Sequence, residues 1–268
     1  MSSRLLLAAA LVPVLCAAAP ASQPLPVEYR IEAPEARQGV ASDGSSVYVI
    51  DNSMIGRYRI RDGKKIASWS GDPEAFPHLN SCTLAEGELV CATSNYPALP
   101  QTSAIEFFDP VSLEHVRSVS LGFGPGSLTV IDRHEGAWWA VYANYDAKGG
   151  EPGRDHRYTL VARLDDTFRI ERGWTLPQAV LERLAPKSLS GASWGADGRL
   201  YASGHDLPEI YVLELPEAGS VLSLVATLSV ATHGQAIDFD PVKEQLLWSI
   251  DRDTRTVVAS RVPPQPGD

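Results

Sequence analysis

Histidine, amide and carboxylate side chains recur where short apolar segments of this chain end. His78, His205 and His233 are candidates for acid–base catalysis, because an imidazole titrates near neutral pH. Other polar side chains in the same setting could bind a ligand: Gln38, Asp51, Asn80, Asn95, Tyr96, Asn144, Tyr145, Asp206, Gln235 and Arg252. Together these residue types predict a site for a small polar ligand or substrate.

The same side chains leave open whether a divalent metal takes part. His205, Asn144 and Asp251 are the candidate ligands of such an ion; a zinc-like set would be His78, His205 and His233, and a calcium-like set would be Asp51, Asn95, Asn144 and Asp251. Imidazole nitrogens favour zinc, carboxylate and amide oxygens favour calcium, and the spacing does not choose between them. The alternative is metal-free chemistry, in which a histidine acts as general base while an aspartate or Arg252 stabilises developing charge.

Several other chemistries find little support in the sequence. It contains no P-loop and no dinucleotide-binding glycine motif. A glycosidase would need two carboxylates facing each other at about 5–10 Å, and Asp51 and Asp251 are the pair that could supply them.

A repeated hairpin pattern must position these residues. Residues 191–206 are two short apolar segments joined by Asp197-Gly198, and an Asp-Gly pair in this setting predicts a type I′ turn. Similar hairpins surround Asp43-Gly44, Glu86-Gly87 and Glu135-Gly136, and a degenerate fifth copy covers residues 234–252. A repeat of about 40–50 residues indicates units that bury each other's faces.

Each repeat continues into a third and a fourth strand, the composition of a β-propeller blade. The last repeat ends after three strands, and residues 26–32 could supply its fourth strand. The predicted fold is therefore an all-β propeller of five four-stranded blades, closed by the N-terminal strand. Six blades is the alternative, if residues 149–186 contain a degenerate blade.

This fold predicts where the polar residues meet. The loops that enter the first strand of each blade and the loops that leave the second strand lie at one end of the central channel, opposite the hairpin turns. The candidate histidines, amides and carboxylates fall in these two sets of loops. The competing interpretation is that Asn, Asp and Gly are ordinary turn formers and that the tyrosines pack between blades.

The termini and charge limit the setting. Residues 1–21 read as a secretory signal with cleavage before Ser22, which leaves residues 22–268 as a single propeller domain in the periplasm or outside the cell. A net charge of −10 without a cluster of basic residues argues against nucleic-acid partners, and a monomer without a membrane span is expected. Counting outward from Glu86-Gly87 pairs Cys82 with Cys91, which predicts a cross-strand disulfide.

Five segments carry a resemblance to known proteins: 78–82 (HLNSC), 94–97 (SNYP), 136–139 (GAWW), 190–198 (SGASWGADG) and 204–213 (GHDLPEIYVL). The chain resembles exported propellers that are described as cycloisomerase-like and, more distantly, the SMP-30/gluconolactonase group. That similarity implies metal-assisted ring opening or ring closure of a small acid or lactone. Gln38 stands where that group has an acidic metal ligand.

These observations predict an exported propeller that binds a small polar ligand at a His/Asn/Asp rim. The catalytic form of this hypothesis is a lactonase or cycloisomerase, with a divalent metal such as calcium or zinc as its cofactor if it uses one. The alternative is a binding or interaction module without catalytic activity.

Overall fold

The computed structural model describes residues 23–265, which form five four-stranded antiparallel sheets arranged as the blades of a β-propeller. The predicted signal sequence lies outside these residues. In the described part of the chain, no helix is long and apolar enough to span a membrane.

The first four blades follow the order of the chain, and each runs from the innermost strand to the outermost. Blade 1 consists of β2 (Gly39–Ser42), β3 (Ser46–Asp51), β4 (Met54–Arg59) and β5 (Lys65–Ser70). Blade 2 consists of β6 (Leu79–Ala85), β7 (Glu88–Ser94), β8 (Thr102–Phe108) and β9 (His115–Phe123). Blade 3 consists of β10 (Ser127–His134), β11 (Ala137–Ala143), β12 (Leu160–Leu164) and β13 (Ile170–Thr175). Blade 4 consists of β14 (Gly191–Trp194), β15 (Leu200–Ser203), β16 (Glu209–Glu214) and β17 (Ser223–Ser229).

Blade 5 combines the two ends of the chain. Its strands are β18 (Asp238–Phe239), β19 (Leu246–Asp251), β20 (Thr256–Arg261) and, outermost, β1 (Val27–Glu32). Antiparallel pairing joins Arg30 to Val258 and Ile31 to Val257. This confirms the predicted ring closure, which gives the inner β20 a partner on both sides.

The region between blades 3 and 4 contains no sixth blade. Its strands β12 and β13 belong to blade 3, and they are followed by the helix α1 (Gln178–Leu184). Val180, Leu181 and Leu184 of α1 are buried against Trp139 and Trp194, in a core shared by the two blades. The helix therefore fills the space at this blade junction.

The hairpin turns divide into two types. At Glu86-Gly87 and Glu135-Gly136 both central residues have positive φ, as a type I′ turn requires. At Asp197-Gly198 only the glycine does, and the loop extends from Trp194 to Leu200, so the type I′ prediction was wrong there. The Asp197 carboxylate accepts hydrogen bonds from the Arg199 N–H and the Tyr201 hydroxyl, which stabilises a longer loop.

The Cys82–Cys91 disulfide joins directly opposed residues of β6 and β7, as predicted from the turn register. Their Cα atoms are 4.0 Å apart. Both residues are buried, and Ile50 and Phe108 belong to the same core cluster between blades 1 and 2. On the loop-entropy model a link of this kind contributes about 2–3 kcal/mol to stability.

Candidate functional site at the rim

Antiparallel pairing of the first two strands in each blade brings the predicted site loops to one end of the channel. Gly39 pairs with Ile50, Ser127 with Ala143, and Gly191 with Ser203, so each entering loop lies beside a leaving loop. We call this end the rim and the opposite one, which carries the hairpin turns, the turn end.

His78 is held in one tautomer by two amides of blade 1. Its Nδ1 lies 2.8 Å from the Asn52 Oδ1, which also accepts a hydrogen bond from the Gln38 Nε2. Because an amide oxygen only accepts, Nδ1 carries the proton and Nε2 presents a lone pair. Burial, together with the nearby His205, lowers the pKa of His78 to about 4, so this imidazole is neutral at neutral pH.

Two tyrosines extend the His78 ring into an aromatic wall. The ring centroids of His78 and Tyr96 are 5.1 Å apart, and those of Tyr96 and Tyr145 are 5.0 Å apart. Gly149 packs onto the Tyr96 ring, which a Cβ at that position would overlap, and its φ of 80° lies in the left-handed region. Burial raises the pKa of both tyrosines, so they remain protonated and can act as hydrogen-bond donors.

His205 orients the positive charge of Arg252. The Arg252 Nη1 lies 3.3 Å from the His205 Nε2, and the His205 Nδ1 lies 2.5 Å from the Asp206 Oδ1. A guanidinium only donates, so Nε2 is the acceptor and Nδ1 donates to Asp206. Burial lowers the pKa of His205; the hydrogen bond to Asp206 opposes this change and the charge of Arg252 adds to it.

A constrained corner connects the two histidine groups. Gly234 and Gln235 both have positive φ, 59° and 72°, and a Cβ on Gly234 would overlap the His205 backbone. The Gln235 N–H donates to the Gly204 carbonyl at 3.0 Å. The next residue, Ala236, donates to the Gln38 carbonyl at 3.0 Å. Left-handed φ at a residue other than glycine is a feature of tightly determined sites.

The other predicted amides hold the loops of the rim in place. The Asn80 side chain donates to the Leu128 carbonyl of the next blade at 3.1 Å. Asn95 closes its own loop by bonding the Pro100 carbonyl and the Thr102 N–H. Asn144 donates to two carbonyls, those of Pro125 and Tyr158, while its Oδ1 is buried without a partner.

The carboxylates of Asp51 and Asp251, which end β3 and β19, and the third histidine, His233, lie apart from these contacts. Asp51 is buried; its Oδ1 accepts the Asn52 N–H and lies 3.6 Å from the Arg37 Nε. Asp251 accepts the N–H groups of residues 253 and 254 at the start of its turn. His233 is exposed on the surface.

The predicted metal ligands His205 and Asp251 do not belong to a close cluster of histidine and carboxylate side chains among the described residues. Within residues 23–265, only Asp146, Asp155 and His156 place three ligand atoms of the His, Cys, Asp or Glu type within 4.8 Å of one another. The three rim histidines therefore form no zinc site, and Asp251 uses its carboxylate to cap a turn. A metal site that includes amide oxygens, such as that of Asn144, stays a prediction, and no step below depends on a metal.

Two buried carboxyls at the turn end were not anticipated. Asp132 accepts hydrogen bonds from the Thr83 hydroxyl at 3.1 Å and the Trp194 N–H at 3.2 Å. Asp238 accepts the Ser42 N–H at 2.8 Å and the Ser193 hydroxyl at 3.3 Å. These six residues come from all five blades, with Ser193 and Trp194 both on blade 4, and contribute to a cavity of about 260 Å³.

Burial changes the protonation of this pair. It raises the pKa of Asp132 to about 6 and that of Asp238 well above its usual range, with the charge of Asp132 adding to the latter effect. A sequence signal existed, since Asp132 directly follows the apolar residues Val130 and Ile131, and Asp238 lies between Ile237 and Phe239. Ser193 lies within a G-x-S-x-G pattern that sequence reasoning overlooked, but it sits inside β14 and not at a strand–helix turn, so it is no nucleophile elbow.

Comparison with known proteins supports the fold alone. No protein-family model matches the chain, and no curated protein does. A luciferin-regenerating enzyme matches at 12% identity and a TM-score of 0.51, over 88% of this chain and 95% of its own. The PQQ-bound aldose sugar dehydrogenase from Streptomyces coelicolor matches at 16% identity and a TM-score of 0.50, over 86% and 79%. The propeller is thus confirmed, whereas membership of the SMP-30/gluconolactonase group stays a prediction.

Proposed function

We propose that this protein is an exported propeller whose rim binds a small polar ligand with hydroxyl groups and a carboxylate or lactone carbonyl. The observation that carries this proposal is the pairing of a free imidazole lone pair on His78 with the oriented cation of Arg252. Export is favoured by the predicted signal sequence and is compatible with the disulfide.

Each group of the rim has a matching function in such a ligand. The His78 Nε2 accepts a hydrogen bond from a ligand hydroxyl, and Arg252 donates to a carboxylate or carbonyl oxygen. The face of Tyr96 supports a flat or sugar-like ring. Because the pKa of His78 and that of His205 are both lowered, the charged groups that contact His205 are the Arg252 guanidinium and the Asp206 carboxylate.

Hydrolysis of a lactone is a second candidate function, and the free lone pair of His78 is the observation that favours it. His78 would take a proton from a water whose oxygen attacks the lactone carbonyl, while Arg252 stabilises the resulting oxyanion. The ring C–O bond would then break, and the leaving alkoxide would recover the proton from His78. A pKa of about 4 makes His78 a weak base, so binding is the primary proposal.

Calorimetric titration with gluconate, glucono-1,5-lactone and neutral glucose tests both candidates. We expect Arg252→Gln to weaken gluconate binding by about tenfold to a hundredfold, the value of a charge-assisted hydrogen bond. The matched control is Arg163→Gln, whose guanidinium pairs with Glu171 on blade 3. The proposal would be contradicted if gluconate did not bind the wild type. It would also be contradicted if gluconate bound Arg252→Gln as tightly as it binds the wild type and Arg163→Gln. Lactone opening that disappears in His78→Gln would establish the second function.

A further inference from the structure

A groove at the turn end concentrates positive charge in an otherwise acidic protein. Its volume is about 570 Å³, and its lining includes Arg57, Arg59, Arg61 and Lys243 but no carboxylate. We call it the basic groove. The full chain has 33 acidic and 23 basic residues, so four cations around one cavity run against the overall composition.

The fold brings these four side chains together. Arg57 and Arg59 are two positions apart on β4 and so lie on the same face, and Arg61 continues this alternation into the turn after β4. Lys243 comes from the hairpin between β18 and β19 on blade 5. The basic groove therefore lies between blade 5, which closes the ring, and blade 1.

Nearby carboxylates neutralise the arginines only in part. Asp43 lies 3.4 Å from the Arg57 Nη2, and the Arg57 Nε is buried without a partner. Asp62 serves two arginines, at 3.0 Å from Arg59 and 3.9 Å from Arg61. Three guanidinium groups thus share two carboxylates.

Lys243 adds a further charge without a carboxylate contact. Its ammonium donates to the Tyr29 hydroxyl at 2.6 Å and lies 4.7 Å from the centre of that ring. Asp240 and Glu28 act on Lys243 from a distance, but Asp240 accepts the Trp248 N–H and Glu28 pairs with Arg261. The four cations of the basic groove consequently exceed the two carboxylates that contact them.

We propose that the basic groove binds a phosphate or sulfate ester of a small molecule. Guanidinium forks bind tetrahedral oxyanions through paired N–H donors, and a lysine adds a point charge. The Tyr29 hydroxyl, which accepts from Lys243, can donate its own proton to a remaining oxygen, while Ile60 and Ile66 offer an apolar surface for the organic part. This site lies at the end of the molecule opposite the rim and does not depend on the function proposed there.

Titration of the full mature chain with glucose 6-phosphate, glucose 6-sulfate, inorganic phosphate and glucose tests this proposal. We expect one of the two esters to bind, glucose not to bind, and affinity to fall steeply with added salt. The ester that binds more tightly then shows whether the basic groove prefers a phosphate or a sulfate group. Inorganic phosphate that binds as tightly as both esters would overturn the assignment to an ester.

Variants assign the binding to the basic groove. Arg59→Gln with Lys243→Gln removes two exposed charges and should weaken ester binding at least tenfold, whereas the control Arg163→Gln should leave it unchanged. Arg57→Lys keeps the charge but loses the planar fork, and should weaken binding less than Arg57→Gln. Binding that survives the double variant, or that Arg252→Gln abolishes, would overturn the proposal.

Discussion

At the rim, His78 and His205 bond to other side chains, whereas at the turn end Asp132 and Asp238 accept backbone N–H groups of neighbouring blades. A side-chain partner can be replaced at modest cost, but a buried N–H that loses its acceptor cannot move away. The rim also leaves a lone pair and a cation available, while the carboxyls at the turn end are buried among donors. The function proposed for the rim uses these available groups, whereas Asp132 and Asp238 hold adjacent blades together at the turn end.

The largest effect should follow loss of an acceptor at the turn end. Asp132→Ala leaves the Thr83 hydroxyl and the Trp194 N–H without a partner, and should lower the free energy of unfolding by about 3 kcal/mol. The exposed rim carboxylate Asp206, changed to Ala, should cost less than about 0.5 kcal/mol. Urea denaturation measures both. Equal losses in the two variants would remove the distinction between the ends.

The pH dependence of stability should also distinguish the turn end. A carboxyl whose pKa is raised by folding stabilises the protein fully below its unfolded-state pKa, and this contribution is lost as pH rises through the folded-state pKa. For Asp132 the window runs from 3.8 to about 6, and the change is roughly 3 kcal/mol. The pKa of Asp238 is raised by the same burial, and the charges of Asp132 and Asp240 add to this effect.

Substitution of both aspartates by asparagine tests this dependence. Asp132→Asn with Asp238→Asn keeps an oxygen acceptor at each position but removes the titration. The variant should therefore lose less stability than the wild type between pH 4 and pH 7, as followed by thermal unfolding. Parallel pH profiles for the two proteins would show that these carboxyls do not titrate as described.

An intermediate effect is expected at the corner that connects the rim loops. Gly234→Ala adds a Cβ that overlaps the His205 backbone, and should cost about 1–3 kcal/mol and weaken ligand binding at the rim. The matched control, Gly87→Ala, has the same left-handed strain but meets no atom within 4 Å of the added Cβ, and should cost about 1 kcal/mol. If Gly87→Ala lowered the free energy of unfolding more than Gly234→Ala did, the close approach of Gly234 to the His205 backbone would not contribute to stability.

The smallest change in stability should come from Asn52→Asp. A carboxylate in place of the amide oxygen beside the His78 Nδ1 should raise the pKa of that imidazole by about 1–2 units, with unfolding changed by less than about 0.5 kcal/mol. NMR titration of the imidazole protons measures the shift. An unchanged pKa would mean that Asn52 does not set the tautomer of His78.

Local sequence patterns correctly predicted the strands, their register and the closure of the propeller. Alternating apolar residues and turn glycines determined the strands, the register that joins Cys82 to Cys91, and the closure by β1, because each depends on neighbouring residues or on one unpaired strand. The turn at Asp197-Gly198 was missed because an aspartate side chain can stabilise a longer loop.

Contacts between blades were harder to predict. Asp132 and Trp194 are 62 residues apart, and their bond depends on how blades 3 and 4 pack. The same holds for Lys243 of blade 5, which lines one cavity together with the arginines of β4 on blade 1. Asn80 lies near the start of β6 and Asn144 directly follows β11, but the sequence could not show that their amides donate to backbone carbonyls.

The pairing of β1 with β20 also limits when the protein can mature. The ribosome makes β1 before any other strand of the propeller and β20 after all of them, so the first strand has to wait for the last. Until β20 is available, β1 has no strand to pair with, and the sheet of blade 5 remains incomplete. Blade 5 therefore completes its sheet only after β20 has been made, and loss of β20 would leave β1 without its pairing partner.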